Sequence, residues 1–221
     1  MLDSRWYANY KLENVRMFIN RALAVDDKYI RIATENAQAG DFTEYEIENG
    51  NQDDEFDDYD PQFAEYEHAV DIVLSYQEIV ARAALNEINL IVEYELKVIA
   101  SFIETKRSSK SWQEMWIDKR EKACKVIEAA YNIKLDNLAG ANEVDEVRKV
   151  INAYKHDDGY SKEYESLFGD YFRKRKQYKF DFDKINQYID AAQVFLRSIP
   201  GQRPQIGEAE LRLIKQSGNL E

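Results

Sequence analysis

Arg148, Asn152, Lys155 and His156 bring a guanidinium, an amide, an ammonium and an imidazole together in one short segment, EVDEVRKVINAYKHDDG, running from Glu143 to Gly159. The combination suits work on a phosphodiester. A histidine with an ordinary pKa of about 6.5 accepts a proton near neutral pH, and a neighbouring cation stabilises charge on a phosphate. Asn152 can orient the imidazole or donate to a phosphate oxygen. Because a helix turns about 100° per residue, Arg148, Asn152 and His156 fall at roughly 0°, 40° and 80°, with Lys155 near −20°. Val144, Val147, Ile151 and Tyr154 take the neighbouring arc, so the polar stripe is expected to border a buried seam. His156 is one of only two histidines in the chain.

The element that carries this stripe must sit in a larger helical frame. Trp6, Tyr10, Leu12, Val15, Phe18, Ile19, Ala22, Leu23 and Ile30 recur at spacings of three and four, which predicts an amphipathic helix from about Leu2 to Ala37. Pro61 suits a first helical turn with Asp60 as its cap, and nothing breaks the pattern from Phe63 to about Lys106. Trp112 to about Leu138 is again periodic, the short His156 helix follows, and Asp183 to Ser198 supplies the last one. The expected fold is all-α: an antiparallel bundle of four to five helices over residues 1–200, with an acidic loop at about 40–61 and a tail at 201–221. No segment alternates with a period of two, and no internal repeat is found.

Composition agrees with a single helix-rich domain: 44% of the 221 residues are hydrophobic and 33% charged, with only 8 Gly and 3 Pro. The opening MLDSRWYANYKLENVR lacks the apolar core of a secretory signal, and no run approaches the roughly 20 apolar residues of a membrane span. A cytoplasmic protein without membrane contact is expected. One cysteine, Cys124, excludes an internal disulfide and reads as a small core residue.

The net charge of −12 argues against a general nucleic-acid coat, yet it is unevenly spread. Half of the positions from Asp41 to Asp60 are acidic, whereas Arg173, Lys174, Arg175, Lys176 and Lys179 form a basic run among Tyr171, Phe172, Tyr178 and Phe180. Interleaved cations and aromatics suit a single-stranded nucleic acid. The acidic loop, with Phe42, Tyr45, Phe56 and Tyr59, is a candidate docking segment for a basic protein surface, either a partner's or the chain's own.

Metal chemistry is not expected, and no cofactor is implied. Glu65-x-x-His68 has the spacing of one half of a di-iron bundle site, but the second half is missing because Ala153 stands three places before His156. The acidic loop places oxygen ligands near EF-hand positions, but Asp54 stands where glycine is required and Asp60 replaces the terminal glutamate. Glycine-rich phosphate loops, nucleophile elbows and paired C-x-x-C motifs are absent, which disfavours nucleotide hydrolysis, serine hydrolase chemistry and structural zinc.

Asn152-x-x-Lys155-His156, with Gly159 just beyond it at the end of a late helix, resembles the HEPN superfamily. Members of that group often carry R-N-x-x-x-H or R-x4-6-H near the end of a penultimate or final helix. The resemblance covers this motif and the general helical plan. It implies a homodimer in which the two histidine-bearing helices meet. In active members it implies metal-independent RNA cleavage at the shared cleft, in a bacterial stress or defence setting. His156 matches the family histidine and Asn152 the polar residue, while the position before Asn152, where the element places its arginine, is Ile151. Arg148 is the nearest upstream arginine, about 12 Å along the axis from His156. Two functions are therefore expected to compete: RNA binding or cleavage through His156, Arg148, Asn152 and Lys155, and a catalytically inactive regulator, antitoxin-like partner or scaffold working through the acidic loop.

Overall fold

The computed structural model describes residues 3–39, 61–157 and 182–205; side chains at 26, 30, 33–39, 61–70, 74 and 153–157 lie outside the description. Among the described residues the fold is all-α, with helices α1 (Ser4–Ala39), α2 (Pro61–Arg107), α3 (Arg120–Tyr131), α4 (Ala141–Asp157) and α5 (Phe182–Ser198), and a 3₁₀ turn at Leu135–Asn137.

α2 is the axle of the bundle and touches α1, α3, α4 and α5. Its 47 residues make a rod about 70 Å long. The run Val80, Ala84, Leu85, Ile88, Val92, Leu96 and Ile99 is buried, because spacings of three, four and seven keep one stripe facing inward. Against it α1 places Leu12, Val15, Ile19 and Ala22.

Cross-helix contacts fix the directions. Ser4 of α1 meets Glu95 of α2, and Val15 and Phe18 share a groove with Ala83 and Ala84, so α1 and α2 run antiparallel. Glu13 meets Gln193 and Arg16 meets Asn186 and Asp190, so α1 and α5 are antiparallel as well. Glu146 pairs with Lys184 while Gly140 abuts Ala191, which sets α4 antiparallel to α5.

Two stretches depart from the sequence reading. The helix expected from Trp112 to Leu138 is helical only over Arg120–Tyr131. Trp112, Met115 and Trp116 imitate helical spacing, but the chain between Ser108 and Lys119 crosses α2 as turns. Ser111 caps one turn through Glu114, and the Ile117 N–H donates to Ser101 Oγ at 2.9 Å instead of to a carbonyl four residues back. Asn132, with φ of 51°, ends α3 in the left-handed cap that Asn tolerates, and its N–H bonds the Glu128 carbonyl.

The second departure lies past Gly201. The chain expected there as a tail is fastened as far as Gln205: Asp3 and Gln205 form an isolated β-bridge, and the Ser4 N–H donates to the Pro204 carbonyl at 3.0 Å. The bundle thus closes with the start of α1 held against the segment that follows α5.

Candidate functional site

α4 begins at a point fixed by close backbone approach. Gly140 has φ of 80°, and a side chain there would run into the Ala191 carbonyl of α5. Glu143 in the first turn complements the helix dipole. Val144, Val147 and Ile151 are buried as the spacing predicts, Val150 joins them in clamping α4 to the bundle, and the side chain of Tyr154 lies outside the described residues. The arc beside the buried residues carries Arg148, partly exposed, and Asn152, exposed. One helical turn separates them, a rise of about 6 Å.

Arg148 is engaged within its own helix. Its Nε and Nη2 donate to Asp145 Oδ1 at 3.1 and 2.9 Å, and Lys149 Nζ lies 3.1 Å from Asp145 Oδ2. Partial burial opposes the charge on Asp145, but the hydrogen bonds and positive charges of Arg148 and Lys149 outweigh it and hold the carboxyl below its ordinary range. A part-exposed pair of this kind is worth under about 1 kcal/mol, so the guanidinium can exchange Asp145 for another acceptor at little cost.

Lys155 and His156 fall in the last turn of α4, with their side chains outside the described residues. The basic run Arg173, Lys174, Arg175, Lys176 and Lys179 lies outside the described residues, as does the acidic loop at 41–60. Of the sequence-derived site, the described part is the Arg148–Asn152 half of one stripe. Among the described residues no group of three metal-ligating side chains forms, and no helix is long and apolar enough to cross a membrane.

A second constellation is absent from the sequence reading. Glu95 of α2 is 2% exposed and Arg203 is 4% exposed, and Arg203 Nε faces Glu95 Oε1 at 3.5 Å, a charge contact rather than a hydrogen bond. The rest of the guanidinium fastens the end of α5: Nη2 donates to the carbonyls of Leu196 (3.2 Å) and Ile199 (2.9 Å), and Nη1 to that of Pro200 (3.2 Å). Ser4 Oγ donates to Glu95 Oε1 at 2.7 Å. Burial raises the Glu95 pKa from 4.5 to about 7, against the lowering influence of the Ser4 hydroxyl and the charge of Arg203. Burial likewise depresses the Arg203 guanidinium below its ordinary range, against the supporting charge of Glu95.

Comparison with protein-family models, with curated proteins and with solved structures returns no match. The two constellations therefore stand on their geometry. One signal for Glu95 is present in the sequence: Ile88, Val92, Glu95 and Ile99 fall within about 60° of arc on α2, so a carboxylate interrupts an otherwise apolar stripe.

Proposed function

We propose that this chain is a HEPN-like helical protein that acts on RNA as a homodimer through the outward stripe of α4. Arg148 and Asn152 would hold the phosphate, Lys155 would add charge, and His156 would serve as the base. One observation carries the reading: α4 is clamped by four buried apolar residues while Arg148 and Asn152 stand one turn apart on its open side, in the helix that also holds Lys155 and His156. In the active form, the imidazole removes the proton of a 2′-hydroxyl, and that oxygen attacks the adjacent phosphate. The 5′-oxygen then leaves with a proton returned to it, and the cations stabilise the added negative charge. No metal is needed in such a step, and the Arg173–Lys179 run would extend phosphate binding along the strand.

A second reading is favoured by Ile151. This residue is 5% exposed, so the position where the HEPN element places its arginine serves the core in this chain. Together with the engagement of Arg148 by Asp145, it supports a catalytically inactive regulator, antitoxin-like partner or scaffold in a stress or defence system. The two readings separate in one experiment: incubation of total RNA and tRNA with purified protein and a chelator, comparing wild type with His156→Ala. Cleavage that the substitution abolishes supports the nuclease. Intact RNA with a folded dimer supports the regulator.

A further inference from the structure

Between α1 and α2, two cavities of about 370 and 260 Å³ adjoin, sharing Tyr7, Tyr94 and Glu95 in their walls. The larger is closed by Trp116 and the smaller by Trp112, Ser4 and the Pro204–Gln205 strap. The aromatic rings form a continuous wall: Tyr94 and Trp116 have centroids 6.0 Å apart at 46°, and Trp116 and Trp112 6.1 Å apart at 52°. Tyr94 is 47% and Trp116 39% exposed, which leaves a large part of this aromatic surface open to solvent.

The rings already hold a cation. Lys11 Nζ sits 4.6 Å from the centroid of Tyr7 and 5.5 Å from that of Tyr94, the geometry in which the negative face of an aromatic ring attracts an ammonium. Both signs of charge line the cavities: Glu93 lies 3.9 Å from both Lys97 and Arg120, Glu95 faces Arg203, and Glu87 and Asp118 share the larger cavity with Lys11.

We propose that these joined cavities bind a small organic cation bearing alkylammonium groups, and that Lys11 is an internal stand-in for it. One ammonium takes the place of Lys11 between Tyr7 and Tyr94, and the other end of a short diamine reaches the smaller cavity beside Glu95, with its methylenes along Trp116 and Trp112. A cation beside Glu95 favours the ionised carboxylate, so binding releases a proton. The other charged groups facing Glu95 are Asp3 and Arg5 from the start of α1 and Arg203 from the strap. With half-ionisation near pH 7, the charged fraction of Glu95 rises about tenfold from pH 6 to pH 8.

The test is titration of the full chain with putrescine, followed by tryptophan fluorescence and calorimetry, with 1,4-butanediol as the uncharged isostere and choline as a quaternary probe. Saturable binding of putrescine or choline, but not of the diol, is expected. Which of the two cations binds assigns the primary or the quaternary form of the ligand. Affinity for putrescine should rise about tenfold between pH 6 and pH 8, and Glu95→Gln should abolish that rise. Trp116→Ala, on an exposed turn, should weaken binding at least about fivefold, and Lys11→Met should tighten it severalfold by removing the internal competitor. Equal binding of the diol would overturn the proposal, as would weaker binding in Lys11→Met. So would the lack of any saturable response to either cation at about 10 mM, in wild type and in Lys11→Met alike.

Discussion

Replacing Arg203 by Met separates two roles that the structure gives to one side chain. Arg203 donates to three carbonyls at the end of α5 and supplies the positive charge facing Glu95. In the wild type, the Glu95 pKa of about 7 lies above its unfolded value of 4.5, so the folded state holds the extra proton between those two values. Stability from this group is therefore fully present below about pH 4.5 and is lost as pH rises through about 7, a total of about 3 kcal/mol. Removing Arg203 takes away a charge that lowers the Glu95 pKa, so the same loss extends to higher pH. At pH 5.5 Glu95 is protonated in both proteins, and the deficit reduces to the lost carbonyl bonds and packing, about 1–2 kcal/mol. At pH 8.5 the variant must bury an uncompensated carboxylate or carry a proton against the solvent, and the deficit grows to about 3–5 kcal/mol. In a domain of this size that is a fall in Tm of very roughly 6–20 °C. Thermal unfolding followed by circular dichroism from pH 5.5 to 8.5 measures it, with Glu95→Gln/Arg203→Met closing a double-mutant cycle. A deficit that stays constant across pH would refute the reasoning, because it would mean that Arg203 acts on the carbonyls alone.

Three further outcomes can be checked. Ile151→Arg, which places arginine where the HEPN element has it, should cost about 2–4 kcal/mol in chemical denaturation because the site is buried. Gly140→Ala should cost more than about 1 kcal/mol, since it combines a positive φ with a collision against the Ala191 carbonyl; Ala139→Ser next to it, at an exposed position, should cost under about 0.5 kcal/mol. Cys124 should react slowly with iodoacetamide at pH 7.5 and much faster after denaturation, because burial pushes its thiol pKa up despite the nearby Arg120.

The helices are legible in the sequence wherever one face is continuously buried. Periodicity places α1 over 2–37 against the observed Ser4–Ala39, and the start of α2 at Pro61 and the extent of α5 follow the sequence pattern in the same way. In each, apolar residues three and four apart report contact with a neighbour. The failure at Trp112–Lys119 has the same root. Tryptophans four residues apart satisfy the pattern, yet Trp116 is exposed, and the buried residue of the segment is Ile117, whose N–H is held by Ser101 of α2 and not by a helix of its own. The placement of Arg148 and Asn152 on one exposed arc of α4 is legible because spacing within one helix defines it. The Glu95–Arg203 pair is not, since half of it sits in a segment that reads as a tail and the two residues meet only through the packed ends of α1 and α5. Its one local trace is the carboxylate on an apolar stripe, which propensity alone does not connect to a distant arginine.

The contact of Asp3 and Ser4 with Pro204 and Gln205 also bears on the order in which the protein assembles on the ribosome. The first turn of α1 leaves the exit tunnel long before its partner segment is made. At about 5–20 residues per second, it waits on the order of 10–40 s for the residues that fasten it. α1 and α2 can pair in that interval, but the α1–α5 seam and the closure by Arg203 cannot form until some two hundred residues have been joined. Until then the strip of α1 that packs on α5 is exposed to whatever else is in solution. The nascent chain therefore has a window of exposure set by the rate of translation, and slowing translation between α2 and α5 should lengthen its dependence on chaperones.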